Sequence, residues 1–334
     1  MPDKNSAGCG SQELCIALDL GGTNIAAALV DASGRMVCCK KTRTQAHRGA
    51  QAVVADLVSL AIERSSEASR LGAIVRGVGI GSAGQIDPES GVVVSATDNL
   101  PGFSGLRLRD IVADATGLET YVDNDANAAA LGEAWVGAAK GCNNLVCLTL
   151  GTGVGGGIIA NGSLVHGIRG CGGELGHMSI NFDGPECNCG SRGCLESYVS
   201  TWAVEKRIKA LALMRGGSWK AIYNATGGAV KGLFDAARDG DQEAIELADE
   251  VGRHLGFGVA SLANALAPQM VVLGGGISQA GEILFSAVRK GFRERALLPL
   301  RDAVQIVPAK LGEYSVVVGA AALVWRNGCA ASSD

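Results

Sequence analysis

A two-lobed α/β fold is predicted by three features of this 334-residue sequence. A unit of strand, glycine turn and strand occurs at residues 14–30 and again at 144–160. The apolar content is 47% and only 4% of residues are aromatic, so the cores are built from small aliphatic side chains, as in packed α/β proteins. No linker rich in proline or serine separates the halves. The two halves read as diverged copies of one unit, which predicts two related lobes with a cleft between them.

The elements follow in order. The apolar run at 14–18, a Gly-Gly turn and a second run at 25–30 form the first hairpin, closed by a turn at 31–34. Residues 47–72 carry Val53, Val54, Leu57, Leu60, Ala61 and Ile62 at helical spacing. A short strand follows at 75–81, then a helix at 104–117, a strand over ETYVDND and an Ala-rich helix at 126–137. The pattern restarts with NLVCLTL at 144–150, a glycine run and a turn at Asn161–Gly162. Residues 197–213 and 229–267 read as helical. MVVLGGGIS, at 270–278, is a buried strand running into glycines before another helix. VQIVPA closes the strands, and 315–325 is a final helix.

Composition excludes several functions. The net charge is −4 and no basic block is present, which removes the footprint of a nucleic-acid binder. No apolar run reaches the roughly 18 residues of a membrane span. The first residues lack the apolar region of a signal peptide. The expectation is a cytoplasmic protein with a disordered tail over 1–13. Of the eleven cysteines, those in apolar runs, such as Cys15, Cys142 and Cys147, read as reduced and buried. Cys187, Cys189 and Cys194 stand among turn formers instead, and suit core filler, a disulfide with a spare thiol, or metal ligands.

The glycine turns suggest phosphate. Asp19 ends a strand, and Gly21, Gly22, Thr23 and Asn24 follow, with backbone N–H groups able to face an anion. A carboxylate beside a phosphate requires a cation between them, and Mg²⁺ with nucleotide phosphates answers that need. A plain hairpin turn is the alternative. The second turn, Gly151-Thr152-Gly153-Val154-Gly155-Gly156, contains a formal G-x-G-x-x-G. That fingerprint must open a helix, whereas a Gly-rich, β-branched strand follows. It therefore reads as a second phosphate clamp. Gly274, Gly275 and Gly276 let a flat adenine or ribose lie against the backbone. In VDNDAN, Asn124 and Asp125 sit between a strand and a helix, where Asp125 serves as a helix cap, a proton acceptor or both.

DLGGTN, VDNDAN, LTLGTGVGGG, ELGH, CNCGSRGC and VVLGGGIS resemble, in order and spacing, the ROK family of repressors and sugar kinases. The resemblance covers roughly residues 14–326. It implies an actin-like ATPase (ribonuclease H-like) fold, with residues 14–125 plus 316–330 as a small lobe and 126–315 as a large one. It implies ATP and a sugar as ligands, no nucleic acid or membrane partner, and a homodimer or homotetramer. The repressors carry a helix-turn-helix of about 70 residues before the first turn, and only 18 residues precede Asp19 here, which favours the kinases.

The same resemblance assigns roles. Asp125 is the base and Asn124 a sugar ligand. Glu174, His177 and Glu196 meet sugar hydroxyls, with Gly84 and Asn99 on loops lining that pocket, where Ala83 and Phe103 replace a common proline and tryptophan. Asp19, Gly21, Gly22, Thr23, Asn24, Thr149, Gly151, Thr152, Gly153 and Gly274–Gly276 serve ATP. His177, Cys187, Cys189 and Cys194 form a Cys3His set for a structural Zn²⁺ that pins the loop 177–194, leaving both phosphate turns outside it. The implied reaction is transfer of phosphate from ATP to the 6-hydroxyl of a hexose. Glucose is the first expectation, with N-acetylmannosamine or fructose as alternatives, and a non-catalytic sugar sensor is the alternative of another class.

Overall fold

The computed structural model describes residues 12–96 and 99–328. The expected tail at 1–13 therefore falls almost wholly outside the described residues. The chain divides into two compact units, Met1–Ala128 with Val316–Asp334, and Ala129–Ser315.

Unit 1 is built on a five-stranded sheet. Its strands are β1 (Glu13–Leu20), β2 (Asn24–Asp31), β3 (Met36–Arg43), β4 (Ile74–Ser82) and, after the short ribbon β5 (Gln85–Asp87) and β6 (Val92–Ser95), β7 (Thr120–Asn124). The order is β3-β2-β1-β4-β7. β1 and β2 pair antiparallel, as do β2 and β3, while β4 runs parallel to both β1 and β7. β1 and β2 are central and buried on both faces, which is why they read as unbroken apolar runs. β3 does not read that way: MVCCKKTR is largely exposed, a Lys-bearing edge of the kind that discourages pairing with another chain. Helix α1 (Ala50–Arg70) lays Val53, Leu57 and Leu60 into a core with Leu14, Ile16, Leu18 and Leu20. It begins later than 47 because a 3₁₀ turn and Gly49 precede it. Helix α2 (Leu108–Thr116) is shorter than the spacing predicted.

Unit 2 repeats the plan. Strands β8 (Leu145–Leu150), β9 (Val154–Ala160), β10 (Ser163–Leu164), β11 (Met270–Gly274) and β12 (Gln305–Pro308) form a sheet of order β10-β9-β8-β11-β12. Again the first three strands are antiparallel and the rest parallel. The two sheets thus share one topology, as the repeated strand-turn-strand pattern predicts. The chain enters unit 2 within helix α3 (Asp125–Trp135). Helices α4 (Glu196–Val199), α5 (Thr201–Arg215), α6 (Gly217–Tyr223), α7 (Ala229–Arg238), α8 (Gln242–Leu266), α9 (Glu282–Arg295) and α10 (Leu300–Ala303) follow. The mostly helical stretch 229–267 holds two helices: between them Gly240 takes a positive φ, and Asp241 caps α8 by accepting from Ala244 N–H at 3.0 Å. α11 (Ser315–Gly328) carries the chain back to unit 1.

Candidate active site

In unit 1 the first glycine turn joins β1 to β2 and is held from β3. The Thr44 hydroxyl donates to the Gly21 carbonyl at 2.6 Å, and its amide donates to the Thr23 carbonyl at 2.9 Å. Thr44 is fully buried. A Cβ at Gly22 would lie 2.7 Å from Asn99 Cβ, so the turn abuts the loop that carries Asn99. Asp19, at the end of β1, has its carboxyl pushed up to about 7. Burial is the main cause and the charge of Asp125 the second, with Lys41 opposing both. The two carboxyl groups of Asp19 and Asp125 therefore share one electrostatic neighbourhood beside the turn.

Asp125 opens α3 directly after β7. The cap of α3 is Asn124 rather than Asp125. Asn124 Oδ1 accepts the amides of Ala126 at 2.9 Å and Asn127 at 3.1 Å. Asn124 Nδ2 donates to the Gly84 carbonyl at 2.9 Å and to Asp125 Oδ1 at 3.1 Å. Asn124 thus orients Asp125 and ties it to the Gly84 loop. Asp123 is buried and accepts from Asn127 Nδ2 at 3.0 Å, fixing the strand-to-helix corner. Phe103 is 1% exposed and packs in the core of unit 1 with Leu100.

In unit 2 the second turn joins β8 to β9, and Thr149 pairs in register with Gly274 of β11. Gly275 has φ +85°, and a Cβ there would stand 2.3 Å from the Leu150 carbonyl oxygen, so only glycine fits. Above Gly276 there is open space. A cavity of about 380 Å³ extends from Gly276 to Thr201 and Glu205 of α5, Gly227 and Gly228, and Lys231 of α7. That volume suits a small-molecule ligand. These walls come from separate elements and carry no local sequence signal.

The second turn is itself held by Glu196. Its Oε2 accepts the Val154 amide at 2.8 Å, and its Oε1 faces Trp202 Nε1 at 3.4 Å. Glu196 is 8% exposed, so this is a buried tie rather than an acid on a solvated loop. Thr201 N–H donates to the Gly151 carbonyl at 2.9 Å, fixing the start of α5 to the same turn.

The ligand atoms of His177, Cys187, Cys189 and Cys194 all lie within 4.8 Å of one another. Cys189 Sγ is 3.7 Å from Cys194 Sγ, and Cys187 Sγ is 3.8 Å from His177 Nδ1. Two thiolates on one tetrahedral zinc, each at about 2.3 Å, stand about 3.8 Å apart. The donor set and its spacing fit that ion, with all three cysteines as free thiols. His177 turns Nδ1 to the cluster and Nε2 to Glu174 Oε2, 4.0 Å away.

The ROK family pattern matches residues 15–327. The chain belongs to the ROK family. Its two α/β units have the actin-like ATPase fold that the sequence predicts. A glucokinase of Thermotoga maritima is 37% identical over 313 residues, 92% of this chain and 96% of that protein. A ROK family glucokinase from Streptomyces griseus, solved in complex with glucose and AMPPNP, superposes with a TM-score of 0.79 at 38% identity, covering 93% of this chain and 98% of that one. A xylose repressor of Caldicellulosiruptor bescii is 34% identical over 273 residues, 80% of this chain and 66% of the repressor. Among the described residues no helix is long and apolar enough to cross a membrane.

Proposed function

We propose that this ROK protein is an ATP-dependent kinase of the hexose 6-hydroxyl, with glucose as substrate. One observation supports the reading: Asp125, held by Asn124 at the start of α3, is close enough to Asp19 at the glycine turn for their charges to interact, which would pair a proton acceptor with a cation ligand. Phosphoryl transfer to an alcohol needs both groups. Asp125 takes the proton of the 6-hydroxyl as the new O–P bond forms. The bond from the γ-phosphorus to the bridging oxygen breaks, and ADP leaves with that electron pair. The relatives named glucokinase support the choice of sugar.

The remaining residues take roles by the same reasoning. Asp19 would hold Mg²⁺ carried in with ATP, since hard carboxylate oxygens suit that ion and a cation relieves the repulsion from Asp125. Gly21, Gly22, Thr23 and Asn24, with Thr149, Gly151, Thr152 and Gly153, would bind phosphates, and the cavity beside Gly274–Gly276 the nucleoside. Gly84, Asn99, Asn124, Glu174 and His177 would meet the sugar. Glu196 would do so with the lone pairs that Val154 leaves open, since a carboxylate has about four acceptor sites. Zn²⁺ on His177, Cys187, Cys189 and Cys194 would fix Glu174, His177 and Glu196. We extend the proposal to a cytoplasmic homodimer or homotetramer.

ADP release measured across glucose, fructose, N-acetylmannosamine and xylose tests the reading. Release stimulated most by glucose is expected. A second reading, a sugar-responsive protein without turnover, is favoured by the xylose repressor relative. Sugar binding with no ADP release from any of the four would establish it and end the kinase proposal.

A further inference from the structure

The strand register of unit 1 sets out one straight row across the sheet: Lys41 on β3, Ala26 on β2, Asp19 on β1, Gly81 on β4 and Asp123 on β7. Residues directly opposite on neighbouring strands point to the same face. Lys41 therefore shares the face of Asp19. Its neighbour Lys40 points the other way, where its Nζ meets Glu63 of α1 at 2.7 Å. The residue between Lys41 and Asp19 in the row is Ala26, whose side chain is a methyl group. The two are two strand spacings apart, about 10 Å between backbones, within reach of a lysine stem over a small residue. The position of β3 relative to the turn is fixed as well, because Thr44, three residues after Lys41, makes the two bonds that hold Gly21 and Thr23.

The other charged residues of the row are acidic. Asp19 and Asp123 lie on it, and Asp125 follows at the end of β7. A phosphate brought to this turn meets carboxylates, and one divalent cation at Asp19 leaves charge on the oxygens of the phosphoryl group in transit. Lys41 already acts on this neighbourhood, holding down the proton affinity of Asp19 against burial and Asp125.

We propose that Lys41 is a phosphate ligand of the kinase reaction, reaching over Ala26 to bind an oxygen of the transferring phosphate. The proposal rests on the kinase reading above. Lys41 keeps its proton throughout, and the hydroxyl proton goes to Asp125. An ammonium so placed binds the nucleotide phosphates and is worth more as charge gathers in the transition state.

The test uses the full chain with Lys41→Met, Lys41→Arg and Lys40→Met. Lys41 and Lys40 are exposed, so all three variants are expected to fold. With glucose as acceptor, Lys41→Met should lose at least tenfold in kcat/KM for MgATP while the KM for glucose stays within twofold. Lys41→Arg should recover part of the loss, and Lys40→Met should behave as wild type. Equilibrium binding of Mg²⁺-AMPPNP should weaken at least threefold in Lys41→Met. Lys41→Met within threefold of wild-type turnover, in an active preparation, overturns the inference and leaves the kinase reading intact. A wild type that binds the analogue but releases no ADP ends the kinase reading, and equal binding by Lys41→Met then ends this one too. A wild type that does neither ends both.

Discussion

The Glu196 carboxylate accepts the backbone N–H of Val154 at 2.8 Å, across 42 residues of sequence. Glu196 follows Cys194 by two residues, and Val154 ends the second glycine turn. The thiol loop is therefore bonded to that turn, although the two look independent in the sequence. A charge-assisted hydrogen bond inside a buried setting is short and directional, so disorder at one end is transmitted to the other.

The first prediction follows from that bond. Cys189→Ala removes one of the four proposed zinc ligands and should release the metal. The sequence alone places both phosphate turns outside the thiol loop, which predicts that the ATP site is affected less than the sugar site. With Glu196 tied to Val154, the KM for MgATP should rise together with the KM for sugar, each by several-fold, and kcat should fall. Metal analysis should find about one zinc per wild-type chain and less than half of that in the variant. A metal-free wild type with full affinity for both substrates would refute the link.

Asp125→Asn should leave sugar binding nearly intact and remove most turnover. The amide oxygen can still accept from Asn124 Nδ2 and the Ala126 amide, so the corner of α3 holds. What is lost is the proposed proton acceptor, and such a group contributes roughly 10²–10⁴-fold. Calorimetric titration with glucose, paired with kcat, checks both halves. A variant keeping more than about a tenth of wild-type kcat would show that the proton goes elsewhere.

Much of this site was legible in the sequence because its residues obey local rules. Asp19 and the Gly21–Gly22 turn announce themselves by backbone need, and His177 with the three cysteines by ligand spacing. The remainder depends on contacts that spacing does not carry. β3 has no apolar alternation because it is an exposed edge, so nothing in its pattern marks Thr44 or Lys41. The cap of α3 falls on Asn124, one residue before the acid that looked like the cap, since either side chain can bond a free N–H at that corner. Phe103 sits in a loop that resembles a sugar-pocket wall, yet its ring belongs to the core, where a large apolar side chain gains most by burial. The cavity beside Gly276 is assembled from α5, the Gly227–Gly228 turn and α7, and no single segment shows it.

Gly319→Ala should couple stability to turnover. A Cβ on Gly319 of α11 would stand 1.6 Å from the Ala128 carbonyl oxygen of α3, and both atoms are held by helix backbone. The helices must separate, at a cost of about 1–3 kcal/mol. Asp125 is one turn before Ala128 on α3, so the shift should move the proposed base. Thermal denaturation should show a lower Tm, and kinetics a fall in kcat larger than any rise in KM. An unchanged Tm would mean that the close approach of α3 and α11 is absent in solution.

Asp19→Asn should stabilise the ligand-free protein in a pH-dependent way. The Asp19 carboxyl is raised from its ordinary 3.8 to about 7 by burial and by Asp125, with Lys41 opposing. The folded state therefore binds more protons than the unfolded state between about pH 4 and 7. Stability contributed by this group falls as pH rises through that window and is lowest above it. Three pKa units at about 1.4 kcal/mol each give a ceiling of about 4 kcal/mol, reduced because the side chain is partly accessible to water. Asparagine carries no charge and removes the penalty. Urea unfolding of both proteins without nucleotide should show the variant's advantage widening from pH 5 to pH 8 and levelling off above that. Adding Mg²⁺-AMPPNP at pH 8 should reverse the order, because a cation on Asp19 favours the ionised wild type and finds no carboxylate in the variant. A gap that stays constant with pH would mean that Asp19 ionises normally in the folded protein.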